Sequence, residues 1–169
     1  MSRRGGQSDK YPQQLIVEQT EPGVDAFGEV EVQLPIPRVG MQVNRPWVFE
    51  LLRVTCVPNV SLGHGVNNSV QAQISTVELA AIRADTRVLF YNFWGSDLTT
   101  TGAAAQDMGV QREYATGDRG ILIATDRIWL GFDSNATGLN CHCTWMLQYR
   151  VIQVNSLEYV GILQAQQGT

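Results

Sequence analysis

The segment from residue 47 to residue 57 is WVFELLRVTCV, and it carries a long and regular strand pattern. Its apolar side chains recur with a period of two, which is the period of a β-strand. Strict alternation places Phe49 and Leu51 on one side of the strand. It places Leu52, Val54 and Cys56 on the other side. The segment is therefore predicted as a long β-strand.

The same period of two continues on both sides of this segment. Val30 and Val32 alternate with glutamates before Pro35 ends the run. Residues 70–77 alternate again. Residues 88–94 and 142–154 add two further apolar runs. About eight to ten short strands divided by Gly, Pro, Asn and Asp turns are typical of a β-sandwich. The predicted fold class is all-β, an eight-stranded single jelly-roll β-sandwich with two antiparallel sheets.

Three segments have less regular patterns. Residues 75–85 hold apolar residues at spacings that suit a helix, and they are the one helix predicted within the strand-rich region. Residues 120–132 are apolar around a central Thr-Asp pair, which predicts either a hairpin or a bulged strand. Residues 157–163 are predicted as a final strand or a short helix.

Both ends of the chain are polar. Residues 1–12 are rich in Ser, Arg, Gly and Gln and lack apolar periodicity, so we expect a flexible N-terminal arm. Residues 165–169 are expected to form a polar C-terminal tail. Between these ends we find no internal repeat and no change of composition. The prediction is therefore one jelly-roll domain over residues 13–164.

The composition is poor in charge. Charged residues make up 17% and hydrophobic residues 44% of the chain, whereas about 25% charged residues is usual. A surface with so few charges is expected to be covered in part by a partner. The formal net charge of −4 does not favour a polyanionic partner for the whole chain. No apolar run approaches the ~20 residues of a membrane-spanning helix, so no transmembrane segment is predicted.

One strand gives a direct argument for self-association. Residues 88–94 are VLFYNFW, and they are apolar on both faces. A two-layer sandwich buries one face of each sheet, so the second face needs a helix, a loop or a neighbouring subunit to cover it. Four aromatic residues are the candidate subunit-interface residues: Phe90, Trp94, Trp129 and Tyr159.

The sequence has no constellation typical of an enzyme. His64 and His142 are its two histidines, too few for a histidine-rich metal site on a β-sandwich. No nucleophile elbow, phosphate-binding loop or dinucleotide fingerprint occurs. We therefore predict a protein that is not an enzyme and that needs no cofactor.

Cys141, His142 and Cys143 are consecutive residues of types that bind zinc. In a strand, the period of two sends His142 to the opposite face from both cysteines. A remote fourth ligand would also be needed. We therefore expect a buried structural role for the cysteines, because free cysteine is usually a core residue.

Asp133, Asn135 and Thr137 match the first oxygen-ligand positions of a calcium loop. The closing glutamate of such a loop is replaced by Thr144, which lies inside a predicted strand. The same residue types are typical of a hairpin turn. A turn is thus favoured over a metal site, and these three residues remain weak metal candidates.

The N-terminal arm carries the candidate nucleic-acid contacts. Arg3, Arg4 and Lys10 would each neutralise a phosphate and release its counterions. Asp9 lies among them, and three cations make a weakly basic arm. Weak contact with a genome, or none, is expected.

The C-terminal part of the chain resembles known proteins over several short stretches: residues 120–126 (GILIATD), 128–131 (IWLG), 149–151 (YRV) and 157–162 (LEYVGI). These stretches resemble coat proteins of small icosahedral viruses of environmental or archaeal type. The resemblance implies a single jelly-roll that assembles into an icosahedral shell. The chain departs from plant-virus-type coats in its short, weakly basic arm, which argues against direct genome packaging.

The predicted function is that of a structural capsid subunit located in the virion. Its expected partners are copies of itself in a shell that encloses the genome, with other capsid proteins as further candidates. The alternative is an oligomeric jelly-roll binding module of the tumour-necrosis-factor, complement-head or lectin type. A glycan-dependent or calcium-dependent response would favour this alternative.

Overall fold

The computed structural model describes residues 11–20, 26–37, 45–59, 69–82, 87–95, 109–114, 119–134 and 142–167. Within these residues, nine β-strands precede one α-helix. The strands are β1 Gln13–Thr20, β2 Gly28–Gln33, β3 Trp47–Asn59, β4 Ser69–Ser75, β5 Val88–Gly95, β6 Val110–Glu113, β7 Ile121–Ile123, β8 Arg127–Ser134 and β9 His142–Gln153. The helix α1 is Ser156–Gln167.

The strands form two antiparallel sheets. Sheet A has the order β1-β9-β3-β6, with β7 also paired to β3, and sheet B has the order β2-β8-β4-β5. The chain passes from one sheet to the other at every connection except β4–β5 and β6–β7. Because β6 and β7 pair with successive parts of β3, they share one strand position. This wrapped order is that of a jelly-roll, so the predicted fold class is confirmed.

A bulge in β3 changes which side chains face the core. Leu51 and Val54 both lie in the apolar core between the sheets. The register of β3 against β9 shifts between Leu51 and Arg53, so Leu52 is the extra residue of a bulge. An extra residue turns the rest of the strand over. The prediction that Leu51 and Val54 face opposite sides is therefore wrong.

The space between the sheets is filled by apolar side chains, with Trp145 the largest of those fully buried. One buried polar side chain links the sheets. Gln19 of β1 donates from Nε2 to the carbonyls of Gly28 at 2.9 Å and Leu130 at 3.1 Å. Its Oε1 accepts from Trp145 Nε1 at 3.0 Å. Since Gln19 uses both ends of its amide, it ties the two sheets together without an unsatisfied group.

The segment over residues 120–132 is neither a hairpin nor a bulged strand, and both predictions are wrong. Its first part, β7, belongs to sheet A, and its second part, β8, belongs to sheet B. Thr125 lies where the chain crosses between the sheets, and its Oγ1 donates to the carbonyl of Arg127 at 2.9 Å. The polar pair in the middle of the apolar run therefore marks a change of sheet.

The helix predicted over residues 75–85 is absent from residues 75–82, the part that the structure describes. Side chains hold the backbone there instead. Ser75 Oγ donates to the carbonyl of Val77 at 2.7 Å, and the Leu79 amide donates to Glu29 Oε2 at 2.9 Å. These contacts replace the backbone bonds that a helix needs.

The short-helix alternative for the C-terminal segment is confirmed. The Asn155 side chain caps α1, because its Oδ1 accepts from the Glu158 amide at 2.8 Å. The inner side of α1 packs on the outer face of sheet A, against a second apolar cluster. The helix residues in this contact are Tyr159, Ile162 and Leu163, and the buried residues of the cluster are Val48, Ala124 and Val154.

The end of α1 is fastened by Gln166, which is buried. Its Oε1 accepts from the Ala124 amide at 2.9 Å, and its Nε2 donates to the Leu122 carbonyl at 2.6 Å. Its backbone carbonyl accepts from Thr76 Oγ1 at 2.9 Å. The helix thus continues beyond residue 164 to Gln167, while the predicted boundary between domain and tail stays a prediction.

Candidate functional site

β5 is the edge strand of sheet B, and among the described residues it has β4 on one side and no strand on the other. Phe90 is 1% exposed and meets the Trp145 ring edge-on, with 5.8 Å between centroids, so this side of β5 faces the core. On the opposite side, Tyr91 is 40% exposed and Phe93 is 54% exposed. The strand thus presents two aromatic rings to the outside along an open edge.

The two exposed rings lie beside neutral polar side chains. Tyr91 pairs with Gln73 of β4, and Phe93 pairs with Gln71. The Tyr91 hydroxyl donates to Gln71 Oε1 at 3.3 Å. Neither β4 nor β5 contains an Asp, Glu, Lys or Arg. We call Tyr91, Phe93 and Gln71 the bare half of the outer face of sheet B. These three side chains carry no charge, and Asp133 of β8, which pairs with Gln71, lies beside them.

The other half of this face is covered by the chain itself. Residues 76–82, the covering segment, lie over β2, β8 and the adjoining part of β4. Leu79 is buried there, and its amide donates to Glu29 Oε2. Gln73 Nε2 donates to the carbonyl of Ala81 at 3.4 Å. We call this region the covered half.

The carboxyl group of Glu29 is partly removed from water in the covered half. Burial raises its pKa, and the negative charge of Glu78 adds to this effect. The hydrogen bond from the Leu79 amide acts in the opposite direction. Glu29 Oε1 is buried and has no hydrogen-bond partner among the described residues. The ionised carboxylate is therefore less favourable here than in water.

A groove of about 610 Å³ lies between α1 and the end of the sandwich. Its apolar lining consists of Ile36, Trp47, Val77, Ala124, Trp129, Tyr159 and Leu163. Thr76, Thr125, Asp126, Arg127 and Gln167 supply the polar part of the lining. Arg127 pairs with Glu31 at 3.1 Å and with Asp126 at 3.2 Å. The groove is thus mainly apolar, and the Arg127 guanidinium in its lining is paired with two carboxylates.

The four predicted interface residues fall in two places. Phe90 is buried in the core, so its side chain is not available to a neighbouring subunit. Trp94 is half-buried and packs against the same core. Trp129 and Tyr159 both line the groove. The exposed aromatic rings of β5 are those of Tyr91 and Phe93, which are adjacent in sequence to the predicted residues Phe90 and Trp94.

The prediction that His142 and Cys143 point to opposite faces is confirmed. Its side chain is exposed, and its Nδ1 lies 2.9 Å from Thr20 Oγ1. Cys143 points into the core, where its Sγ lies 3.2 Å from Cys56 Sγ. Burial raises the pKa of the Cys56 thiol. Cys141 lies outside the described residues.

The three weak metal candidates are not all described. Asp133 lies near the end of β8, while Asn135 and Thr137 fall outside the described residues. In the part of the chain that the structure covers, no group of three or more His, Cys, Asp or Glu side chains is placed to hold a metal ion. The preference for a turn over a calcium site at these residues stays a prediction.

The candidate nucleic-acid contacts, Arg3, Arg4 and Lys10, also lie outside the described residues. Their contact with a genome stays a prediction. Among the helices that the structure describes, none combines the length and apolar character needed to cross a membrane.

Sequence reasoning missed the covering segment and the role of Gln166. The sequence does contain a signal for the role of Gln166, because Asn155 and Glu158 have the spacing of a helix-capping pair. A helix that starts there places Gln166 on the same side as Ile162. The covering segment had no such signal, since its contacts with β2 join residues far apart in sequence.

No protein-family model and no curated protein sequence matches the chain. Solved structures match it by fold. VP1 of Merkel cell polyomavirus, solved with disialyllactose, gives a TM-score of 0.53 at 10% identity, covering 88% of this chain and 97% of that chain. The VP1 pentamer of KI polyomavirus gives 0.53 at 11% identity, covering 92% and 97%. The VP1 pentamer of human polyomavirus 7 gives 0.52 at 10% identity, covering 84% and 96%.

At these identities the likeness concerns the fold alone. This likeness agrees with the strand order of the two sheets. The narrower resemblance to coats of environmental or archaeal viruses stays a prediction. The chain has the jelly-roll fold of the polyomavirus VP1 capsid proteins.

Proposed function

We propose that the chain is a structural subunit of a viral capsid, which associates with copies of itself and is located in the virion. The observation that carries this proposal is the exposure of Tyr91 and Phe93 on the open edge of sheet B. An edge strand with exposed aromatic side chains is a template for association. The fold shared with VP1 proteins supports a capsid role for that association.

The chemistry of the bare half favours a close contact. Fully burying an aromatic side chain such as Phe93 contributes about 1.5–3 kcal/mol relative to leaving it in water. Because β4 and β5 lack charged residues, a neighbour that covers this surface removes no charge of these strands from water. The low charged fraction of 17% fits a subunit that covers much of its surface with neighbours.

We further propose that the contacts close into rings and then into an icosahedral shell around the genome. A surface that each subunit presents to the next gives a head-to-tail contact, and such contacts form rings when the rotation closes. The KI polyomavirus and human polyomavirus 7 VP1 structures are pentamers. We assign the chain no catalytic role.

Mass photometry and negative-stain microscopy of the purified chain test this function. We expect discrete oligomers or shells as the protein concentration rises. They should persist at high salt, because an apolar contact is weakly screened. A monomer at every concentration and salt would contradict the proposal.

The proposed genome contact through Arg3, Arg4 and Lys10 is weak. A triple alanine variant should still assemble, because these residues are not part of the bare half. The ratio of absorbance at 260 nm and 280 nm of the particles measures the nucleic acid they carry. A small decrease relative to the unmodified chain is expected from the loss of phosphate contacts, and no decrease would remove these residues from the interface.

An oligomeric binding module is the second candidate function, and the groove favours it. Trp129 and Tyr159 line a largely apolar space of about 610 Å³, which is within the size of small-ligand sites. A glycan array and a calcium-dependent thermal shift test this candidate. Sialylated glycans are suitable first probes, since Merkel cell polyomavirus VP1 was solved with disialyllactose. Glycan binding by a chain that forms no shell would favour the module.

A further inference from the structure

The outer side of α1 is apolar although the structure leaves it uncovered. Leu157 is 87% exposed and Val160 is 49% exposed. Gly161, Gln164 and Ala165 are exposed beside them. We call these five residues the α1 outer face. The inner side of α1 is already occupied by its contact with sheet A, so the helix is apolar on two opposite sides. A surface helix normally has one apolar side, which makes the second side unusual.

Within the described residues, Gly161 makes no close contact that would explain it. A Cβ added at this position would have no atom of these residues within 4 Å. Glycine inside a helix is less stable than alanine, so the chain carries a loss of helix stability at this point. A glycine on a helix surface allows the backbone of a second helix to approach closely. A second helix that lies against this position would account for the glycine.

The α1 outer face contains no charged residue. The charged residue of α1 is Glu158, which pairs with Arg119 at 2.9 Å. Its amide is the group that Asn155 caps. A charged partner such as a nucleic acid therefore finds no complementary charge on the α1 outer face, whereas an uncharged apolar surface does fit it.

The order of side-chain sizes fits a second copy of the same helix. Leu157, Gly161 and Ala165 lie four residues apart, so they form one ridge along α1. When two copies cross antiparallel at Gly161, each Leu157 lies opposite the small Ala165 of the other copy. The two glycines then meet where the helices are closest. A parallel crossing would instead place leucine against leucine.

We propose that the α1 outer face is a two-fold contact between copies of this chain, in which α1 of one subunit crosses α1 of a second, antiparallel, at Gly161. The contact is isologous, since the same patch serves both subunits. It rests on the proposed self-association and adds a second type of link. The bare half joins subunits within a ring, and α1 joins subunits of adjacent rings.

Two variants of the full chain test the contact from its two sides. Gly161→Leu fills the space at the crossing point, and Leu157→Glu adds a charge to the apolar ridge. Gln111→Glu is the matched control, because Gln111 is exposed on β6 of sheet A. Mass photometry should show small oligomers of one size for both α1 variants and full-size particles for the control. The thermal midpoint of the Gly161→Leu subunit should not fall, since leucine favours a helix and finds open space.

The outcomes separate this contact from the proposed function. If the unmodified chain assembles and both α1 variants assemble equally well, the α1 contact is wrong and the proposed function stands. If the unmodified chain is monomeric throughout, both are wrong. Full-size particles of the control, together with only small oligomers of both α1 variants, support the contact.

A cysteine at the crossing point gives a direct measurement. In a Cys141→Ser background, Gly161→Cys places two thiols at the two-fold axis, while Cys56 and Cys143 are buried. Oxidised glutathione should convert the two thiols into one disulfide, with two molecules of reduced glutathione as the other product. A non-reducing gel should show dimers for Gly161→Cys and none for Gln111→Cys in the same background. Equal dimer formation by the two variants would contradict the contact.

Discussion

The two halves of the outer face of sheet B have opposite surroundings. In the covered half, the covering segment lies on the sheet, Leu79 is buried and the Glu29 carboxyl group is partly removed from water. In the bare half, Tyr91 and Phe93 are exposed. Both halves belong to one sheet, so the difference comes from what lies over the strands.

The difference shows that one part of a sheet surface is covered by the subunit's own chain, while another part is left for a partner to cover. The covered half includes polar side chains, Glu29 and Gln73, and each bonds to the backbone of the covering segment. The bare half holds aromatic rings, which need no specific donors from a partner. A sister copy therefore needs only a matching shape to cover Tyr91 and Phe93.

The largest expected effect is on assembly, from Phe93→Glu. The change places a carboxylate in a surface that we propose to be buried between copies, where an unpaired charge costs several kcal/mol. We expect loss of rings and full-size particles in mass photometry, which leaves monomers and the dimer that the α1 contact would form. The thermal midpoint of the subunit should change little, because Phe93 is exposed in the free subunit.

Gln111→Glu is the control for added charge, since it places a glutamate on an exposed edge strand of sheet A. It should assemble like the unmodified chain. Normal assembly by Phe93→Glu would remove β5 from the interface.

The second effect concerns the covered half. Leu79→Ala should lower the free energy of unfolding by about 2 kcal/mol, the low end of the range for a buried leucine, because it leaves a cavity under the covering segment. Urea unfolding in the Phe93→Glu background, at a concentration where mass photometry shows monomers, measures this without interference from assembly. Leu157→Ala is the control, and a change within about 0.5 kcal/mol is expected at that exposed site. Equal effects at the two sites would show that the covering segment is not closely packed.

A pair of glycines distinguishes close packing from open space. A Cβ at Gly131, in the covered half, would lie 2.9 Å from Gln73 Cγ and 3.0 Å from the Phe27 ring. Gly131→Ala should therefore destabilise the subunit by about 1–3 kcal/mol. Gly161→Ala should stabilise the same subunit by about 1 kcal/mol, since alanine is the better helix former. Urea unfolding in the Phe93→Glu background compares them, and the same sign for both would contradict the packing described here.

The smallest expected effect is the pH dependence of Glu29. Burial raises its pKa in the folded state above the ordinary value of 4.5. Between the ordinary pKa, which applies to the unfolded chain, and the raised pKa of the folded state, the unfolded chain releases its proton first as the pH rises. The folded state therefore loses stability over this pH range. Glu29→Gln removes this dependence and keeps an acceptor for the Leu79 amide. Across this range, the stability of the variant relative to the unmodified chain should rise with pH. A constant difference, measured by urea unfolding at several pH values in the Phe93→Glu background, would show that the carboxyl group is not buried.

Local sequence patterns predicted much of the fold. The alternation of Val30 and Val32 with glutamates corresponds to β2, and the long apolar runs correspond to β3, β5 and β9. The face assignments within β3 failed because a bulge at Leu52 is set by the register against β9, which is a long-range property. The helix predicted over residues 75–85 failed for a similar reason, since Glu29 on a distant strand binds the Leu79 amide.

The candidate site was predicted only to the level of the strand. An apolar run on both faces indicates that β5 has a second surface to cover, but it does not show which face is the core. Pairing with β4 and packing on Trp145 place Phe90 inside and leave Tyr91 and Phe93 outside. The predicted residues Phe90 and Trp94 lie on the inner side for this reason.

Hydroxyl-radical footprinting of assembled particles and of free subunits tests most directly whether sister copies cover the bare half. Mass spectrometry would compare the oxidation rates of Tyr91 and Phe93 in the two states. Both residues should react readily in the free subunit and be strongly protected in the particles. Equal oxidation in the two states would show that assembly leaves this surface in contact with water.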